Sequence, residues 1–279
     1  MANLCEMLVF YFMPTVELIL LLLFIGAATG SISAVINIAP ALIAIPTLYF
    51  FLPVFDLSFQ NLMLPTIATC IAAFVPAHLY AWIQSMQRGE VDSQNLIRFA
   101  PGIAMGGVIG AQVLSLIGLW GFKIAFSFIA AIAIANILFH SRLETSFALF
   151  TRKRIHLPIG LMIGTISLLS GNCGGVLAKS LCILKKIHPQ YRQGTTDGLV
   201  VFASIAAIVG FVYPAKGFDE DGVLGFAGAI HLPSALILGC SHLFFYQLCR
   251  HKGNALDKRV LSISCVIFMA CSVLRLWVS

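Results

Sequence analysis

Ser170-Gly171-Asn172-Cys173-Gly174-Gly175 interrupts an apolar stretch where regular helix would be expected to continue. The pieces on either side, 157–171 and 174–187, are both short of the roughly 20 apolar residues that a full membrane span needs. The flanks on both sides are basic: Arg142, Arg152, Lys153 and Arg154 before, and Lys185, Lys186 and Arg192 after. Positive charge concentrates on the cytoplasmic side of a membrane. The pair of short pieces therefore enters and leaves on one side, and the chain must turn inside the bilayer. Irregular backbone at that depth survives only where it is buried in protein or lines a cavity. A second interruption, Gly30-Ser31-Ile32-Ser33-Ala34-Val35-Ile36-Asn37-Ile38-Ala39-Pro40, separates the apolar segments 16–36 and 38–54.

The rest of the chain follows from these two breaks. Of its 279 residues 59% are hydrophobic and only 10% charged, against about 25% charged in a soluble domain. Further apolar segments cover 60–85, 96–118 and 121–140, then 194–214, 223–249 and 259–278. Each half thus has three full spans plus one broken or re-entrant pair. An odd number of spans inverts the second half relative to the first. The expected fold is an all-α polytopic membrane protein of two inverted-topology repeats, 1–140 and 157–279, joined by a cytoplasmic basic loop at 141–156. Landmarks match between the halves: Thr69-Cys70 with Thr195-Thr196, and Pro101…Gly107 with Pro233…Gly239.

The net charge of +6 does not point to nucleic acid, because the cations occupy short loops rather than a basic stripe. Arg88, Arg98, Arg250, Lys252, Lys258 and Arg259 join the basic flanks on the cytoplasmic side, while the opposite side holds Lys123, Lys216 and Arg275 and the acidic cluster Asp219-Glu220-Asp221. Both termini are then expected outside. No Lys or Arg precedes Arg88, so the first apolar segment is not expected to be a cleaved signal peptide. The eight cysteines include no Cys-x-x-Cys pair and read as apolar fillers rather than a disulfide framework. The histidine spacings give no metal site, and no cofactor is expected.

Chemistry is expected at the breaks. Glycine lets the backbone adopt positive φ and approach a ligand, and freed N–H groups at a helix N-terminus favour an anion. Asn172, Cys173, Gly174 and Gly175 are the candidates in the second half, with Thr195 and Thr196. Ser33, Asn37 and Thr69 are their first-half counterparts. Lys179 and Asp197 are intramembrane charges, each costing about 2.5–3.5 kcal/mol at the midplane. They read as an internal ion pair, as a substrate cation with a coupling carboxylate, or as interfacial snorkelling groups. His78, two residues after Pro76, reads as a proton relay or a helix–helix hydrogen bond.

The stretch Arg98-Phe99-Ala100-Pro101-Gly102 with Gly106, Gly107, Gly110 and Ala111 resembles the TauE/SafE family of sulfite exporters and related anion permeases. So do Gln87-Arg88-Gly89-Glu90-Val91-Asp92, Gly171-Asn172-Cys173-Gly174-Gly175, Gly194-Thr195-Thr196 and Gly228-Ala229-Ile230-His231-Leu232-Pro233-Ser234-Ala235. The likeness runs over roughly 16–277. The chain departs from the family at Lys179-Ser180, where Val-Pro is usual, and at Asp197, where a small apolar residue is usual. The first-half glycine-rich break is reduced to Ser33 and Asn37.

The resemblance implies a secondary transporter of a small anion, sulfite or an organosulfur anion, in a bacterial plasma (inner) membrane, working by alternating access. A homodimer is compatible with it. Two other classes remain open at this point: an intramembrane enzyme acting on a lipid phosphate, and a non-transporting membrane assembly factor.

Overall fold

A computed structural model describes residues 16–55, 59–138, 156–214, 225–252 and 257–278. The basic loop, apart from His156, and the cluster Asp219-Glu220-Asp221 lie outside the described residues. The described helices are α1 (Val16–Ile36), α2 (Ala41–Phe51), α3 (Phe59–Gln87), α4 (Ser93–Leu116), α5 (Leu119–Leu138), α6 (His156–Leu169), α7 (Gly175–Leu184), α8 (Pro189–Val212), α9 (Leu232–Lys252) and α10 (Lys258–Val278). Among them α1, α3, α4, α5, α8, α9 and α10 are long and apolar enough to cross a membrane, whereas α2, α6 and α7 are apolar but shorter. The chain is an all-α polytopic membrane protein.

Two boundaries differ from expectation. The apolar run 194–214 belongs to a helix that starts earlier, at Pro189, because proline is suited to the first helical position, where no N–H partner is needed. The run 223–249 does not begin as helix. Phe226–Ala227 (β1) pairs antiparallel with Ile230–His231 (β2) before α9 starts. Gly225 and Gly228 adopt positive φ there.

The two breaks stop their helices by different devices. At the end of α6, Gly171 takes φ 72°, its N–H bonds to Leu168 O, and the N–H of Asn172 reaches Ser167 O. That pair of bonds is the Schellman stop, which satisfies two orphan carbonyls at a helix end. Gly174 then takes φ 94° and leads into α7. At the end of α1 there is no glycine. Asn37 takes φ 51°, and its N–H makes a single bond to Ser33 O at 3.0 Å. Asparagine is the usual substitute for glycine in this left-handed cap. The Ser33 hydroxyl donates to Ile38 O at 2.9 Å, satisfying a carbonyl beyond the stop. Pro40 leads into α2.

Each short helix folds back beside its predecessor. Phe99, near the start of α4, touches the His156 ring at the start of α6 and lies under Lys185 Nζ just past the end of α7. Both ends of the α6–α7 hairpin therefore lie at one end of the bundle. The end of α2 lies elsewhere: Tyr49 packs on Phe59 at the start of α3, and Phe50 under Arg275 near the end of α10.

Close glycine contacts give the helix directions. A Cβ on Gly110 of α4 would fall 2.6 Å from Leu168 of α6, and one on Gly26 of α1 2.6 Å from Ser241 of α9. Earlier glycines on each helix meet earlier residues of the neighbour, so α4 and α6 run parallel. Gly26 and Gly30 meet Ser241 and His242 in the same order, so α1 and α9 run parallel too. Crossings recur in pairs. Gly107 of α4 abuts Ala203 O of α8, and Gly239 of α9 abuts Ala73 O of α3. α3 and α4 are joined by a tight turn at Gly89 and run oppositely. The two hairpins therefore enter the bundle from opposite ends.

A shared apolar core spans both halves, with Ile45, Ile67, Phe74, Phe122, Ile129 and Phe211 among its fully buried members. Trp120, Ile124 and Phe128 of α5 and Ile263, Ile267 and Leu274 of α10 are exposed, as suits faces that meet hydrocarbon.

Candidate functional site

The hairpin tips meet: a Cβ on Gly175 would lie 3.7 Å from the Ala39 side chain. Beside this meeting point is a cavity of about 60 Å³. A water needs about 10–15 Å³ on this measure, so the space suits a few waters or one small anion.

Seven of the expected residues line the cavity. Ser33 and Asn37 come from the first break, Gly175 and Lys179 from α7, Thr196 and Asp197 from α8, and His78 from α3. The remaining five do not line it. Asn172, Cys173 and Gly174 are buried within the second tip. Thr69 and Thr195 are occupied at another kind of contact. The Thr69 hydroxyl accepts from the backbone N–H of His231, at 3.0 Å, just before α9. The Thr195 hydroxyl accepts from the N–H of Asp92, at 2.9 Å, just before α4. Each threonine thus satisfies a backbone donor at the start of a helix from the other half of the chain.

Three polar lining residues were not anticipated: Asn136, Gln193 and Tyr246. Two had a legible signal. Gln193 stands four residues before Asp197 and so shares its helix face. Asn136 is an amide in an otherwise apolar segment, and it donates to Ser180 Oγ at 2.9 Å. Tyr246 had none; its hydroxyl accepts from Arg250 at 2.9 Å.

The charges are arranged asymmetrically. Asp197 is 5% exposed. The Gln193 amide donates to its two carboxylate oxygens at 3.2 and 3.1 Å, and His78 Nδ1 lies 3.5 Å from Oδ1. Lys179 shares the cavity, but among the described residues it is not part of a salt bridge. The only ion pair to Asp197 there is the one from His78. The cavity therefore presents one ammonium without a carboxylate at contact distance, several hydroxyl and amide side chains, and the N-terminal turn of α7. Such a donor set suits a small anion. Among the described residues no group of His, Cys, Asp and Glu could hold a metal ion.

Two polar groups in the second tip, Asn172 Nδ2 and Ser167 Oγ, have no hydrogen-bond partner among the described residues. The position of a Cβ on Gly174 is open, its nearest neighbours being Ala203 Cβ and Ser167 Oγ at 4.0 Å.

No curated protein and no solved structure matches the chain. The family model for Sulfite exporter TauE/SafE matches residues 22–276. That range takes in all the cavity-lining residues and at least most of every long helix. The chain belongs to the TauE/SafE family of sulfite exporters.

Proposed function

We propose that the protein is a secondary transporter that carries a small anion, sulfite or an organosulfur anion, through the cavity between the two hairpin tips. The observation that carries this reading is Lys179: a membrane-embedded ammonium beside a cavity, with no carboxylate in contact. An intramembrane cation is expensive unless something neutralises it, and an anion in the cavity would do so. Gly175 adds an unobstructed helix start, and Ser33, Asn37 and Thr196 add polar groups.

The two halves act as inverted repeats. The paired crossings of α4 on α8 and α9 on α3, the paired hairpins from opposite ends, and the reciprocal Thr69 and Thr195 contacts all support this. Alternating access would then come from rocking the hairpin tips about the cavity. The charge distribution supports an orientation with both termini outside a bacterial inner membrane. Cysteines introduced at the exposed Arg88 and Gly118 should label from opposite faces of sealed vesicles, Arg88→Cys only from the cytoplasmic face. Labelling of both from one face would sink that orientation.

Flux in proteoliposomes tests the function, with sulfite, sulfate, thiosulfate, methanesulfonate and acetate offered in turn. Sulfite or another sulfur oxyanion should move, and Lys179→Met should slow it at least about tenfold, the loss of a charge-assisted contact. Movement of none of these anions would refute the reading.

A further inference from the structure

We infer that the anion travels with a proton, taken up by the Asp197–His78 pair as the anion enters the cavity. This rests on the cavity being the anion site.

Asp197 and Lys179 line one small cavity. An anion drawn to the ammonium is therefore brought close to a buried carboxylate. Asp197 has two partners among the described residues, and neither is a permanent cation. Gln193 is neutral and can only donate hydrogen bonds to it. His78 is charged only when protonated. The carboxylate thus has no fixed counter-charge in contact, and two anions would share a low-dielectric space. Like charges that close cannot both persist cheaply. One proton bound to the pair removes the conflict.

The geometry provides for it. His78 Nδ1 lies 3.5 Å from the carboxylate, His78 Nε2 has no partner among the described residues, and the ring lines the cavity. The other titratable groups facing the pair are Lys179 from α7 and Tyr246 and His242 from α9. His242 is fixed by Thr29 Oγ1 at 2.9 Å and stacked on Tyr246. α4 contributes no side chain to the cavity lining, and α5 contributes the neutral Asn136. The proton balance is simple. The pair carries one negative charge when His78 is neutral and Asp197 ionised. It binds one proton from the side where the anion enters and returns it where the anion leaves.

A purely structural His78–Asp197 ion pair would behave differently. It would stay protonated throughout, and neither the pH slope of anion affinity nor proton uptake would depend on Asp197.

The test uses the full chain, purified in detergent. Sulfite binding is measured by calorimetry from pH 6 to 9, and proton uptake by an indicator dye in weak buffer. Asp197→Asn is run alongside at each pH, so that the titration of sulfite itself cancels in the difference. Wild type should take up close to one proton more per bound anion than the variant. Its affinity should weaken roughly tenfold more per pH unit than the variant's on the alkaline side, the linkage expected for one proton. Should Asp197→Asn fail to fold, His78→Gln takes its place and should also lose the extra slope. Equal uptake and equal slopes in wild type and a folded variant overturn the coupling and leave the anion site standing. If wild type binds none of sulfite, sulfate, thiosulfate and methanesulfonate, the anion site and the coupling fall together.

Discussion

The two hairpin tips do the same job with different chemistry. The second is stopped by Gly171 in a two-bond Schellman cap and reopened by Gly174, both at positive φ. The first is stopped by Asn37 with one backbone bond and a Ser33 hydroxyl. The second tip is dense: a Cβ on Gly171 would strike Ile45 at 2.5 Å, and Asn172, Cys173 and Gly174 are all buried. The first tip puts its polar side chains, Ser33 and Asn37, into the cavity instead. A break made from glycine offers its backbone, whereas a break made from asparagine and serine offers side chains. The second break reaches the cavity only at Gly175, beside the side chains of Val176 and Lys179.

The largest expected effect breaks this comparison at its steric end. Gly171→Val should destabilise the protein by about 3 kcal/mol or more, since it combines a left-handed backbone penalty with overpacking against Ile45. Asn37→Gly, at the matching position of the first break, should change thermal stability by no more than about 0.5 kcal/mol, because glycine accepts that conformation freely. Thermal unfolding in detergent reads both. Equal damage at the two sites would mean that the stops are not equivalent devices.

Gly175 and Gly107 sharpen the contrast between cavity and seam. A Cβ on Gly175 meets only Val200 and Ala39, at 3.6 and 3.7 Å, whereas one on Gly107 would fall 2.6 Å from the backbone oxygen of Ala203. Gly175→Val should stay folded and bind sulfite at least about tenfold more weakly, because its side chain occupies the approach to the α7 N-terminus. Gly107→Val should lower folded yield first, at a cost of about 3 kcal/mol. Size-exclusion profile and binding per folded molecule separate the two outcomes. Wild-type affinity in a folded Gly175→Val protein would make the second break a packing device only.

The smallest effects test the correspondence of the halves. Thr69→Val and Thr195→Val each orphan one backbone N–H at a helix start, which should cost about 1 kcal/mol apiece. Similar losses in unfolding temperature would agree with reciprocal roles. A loss at only one of them would separate the halves.

The spans and the breaks were legible because they depend on local chemistry. Apolar length gives the spans. Paired glycines with basic loops on both flanks give a hairpin that returns to its own side. The convergence of polar groups was less legible, because it depends on how helices cross. Nothing near His78 in the sequence points to Asp197, which meets it because α3 and α8 pack in opposite directions, Gly194 against Ser85 and Gly198 against Trp82. Lys179 and Asp197 looked like natural partners as the two intramembrane charges of one half. Gln193, one turn before Asp197, and His78 hold the carboxylate instead. Thr69 and Thr195 were expected at the substrate by their place in matched segments. Each instead accepts a hydrogen bond from a backbone N–H at a helix start in the opposite half.

The close seams of α6 on α4 and of α1 on α9 have a consequence for how the protein is made. Each hairpin is clamped to a helix from the other half of the chain, so the halves are interlocked. The α6–α7 hairpin finds α4 already synthesised. The α1–α2 hairpin does not: its clamp, α9, emerges roughly 200 residues later, a delay of about 10–40 s at ordinary translation rates. During that interval Ser33 and Asn37 sit in the membrane without the wall that will enclose them. The α1–α2 hairpin thus waits longest for its seam, and a chain truncated before α9 would leave it without that clamp.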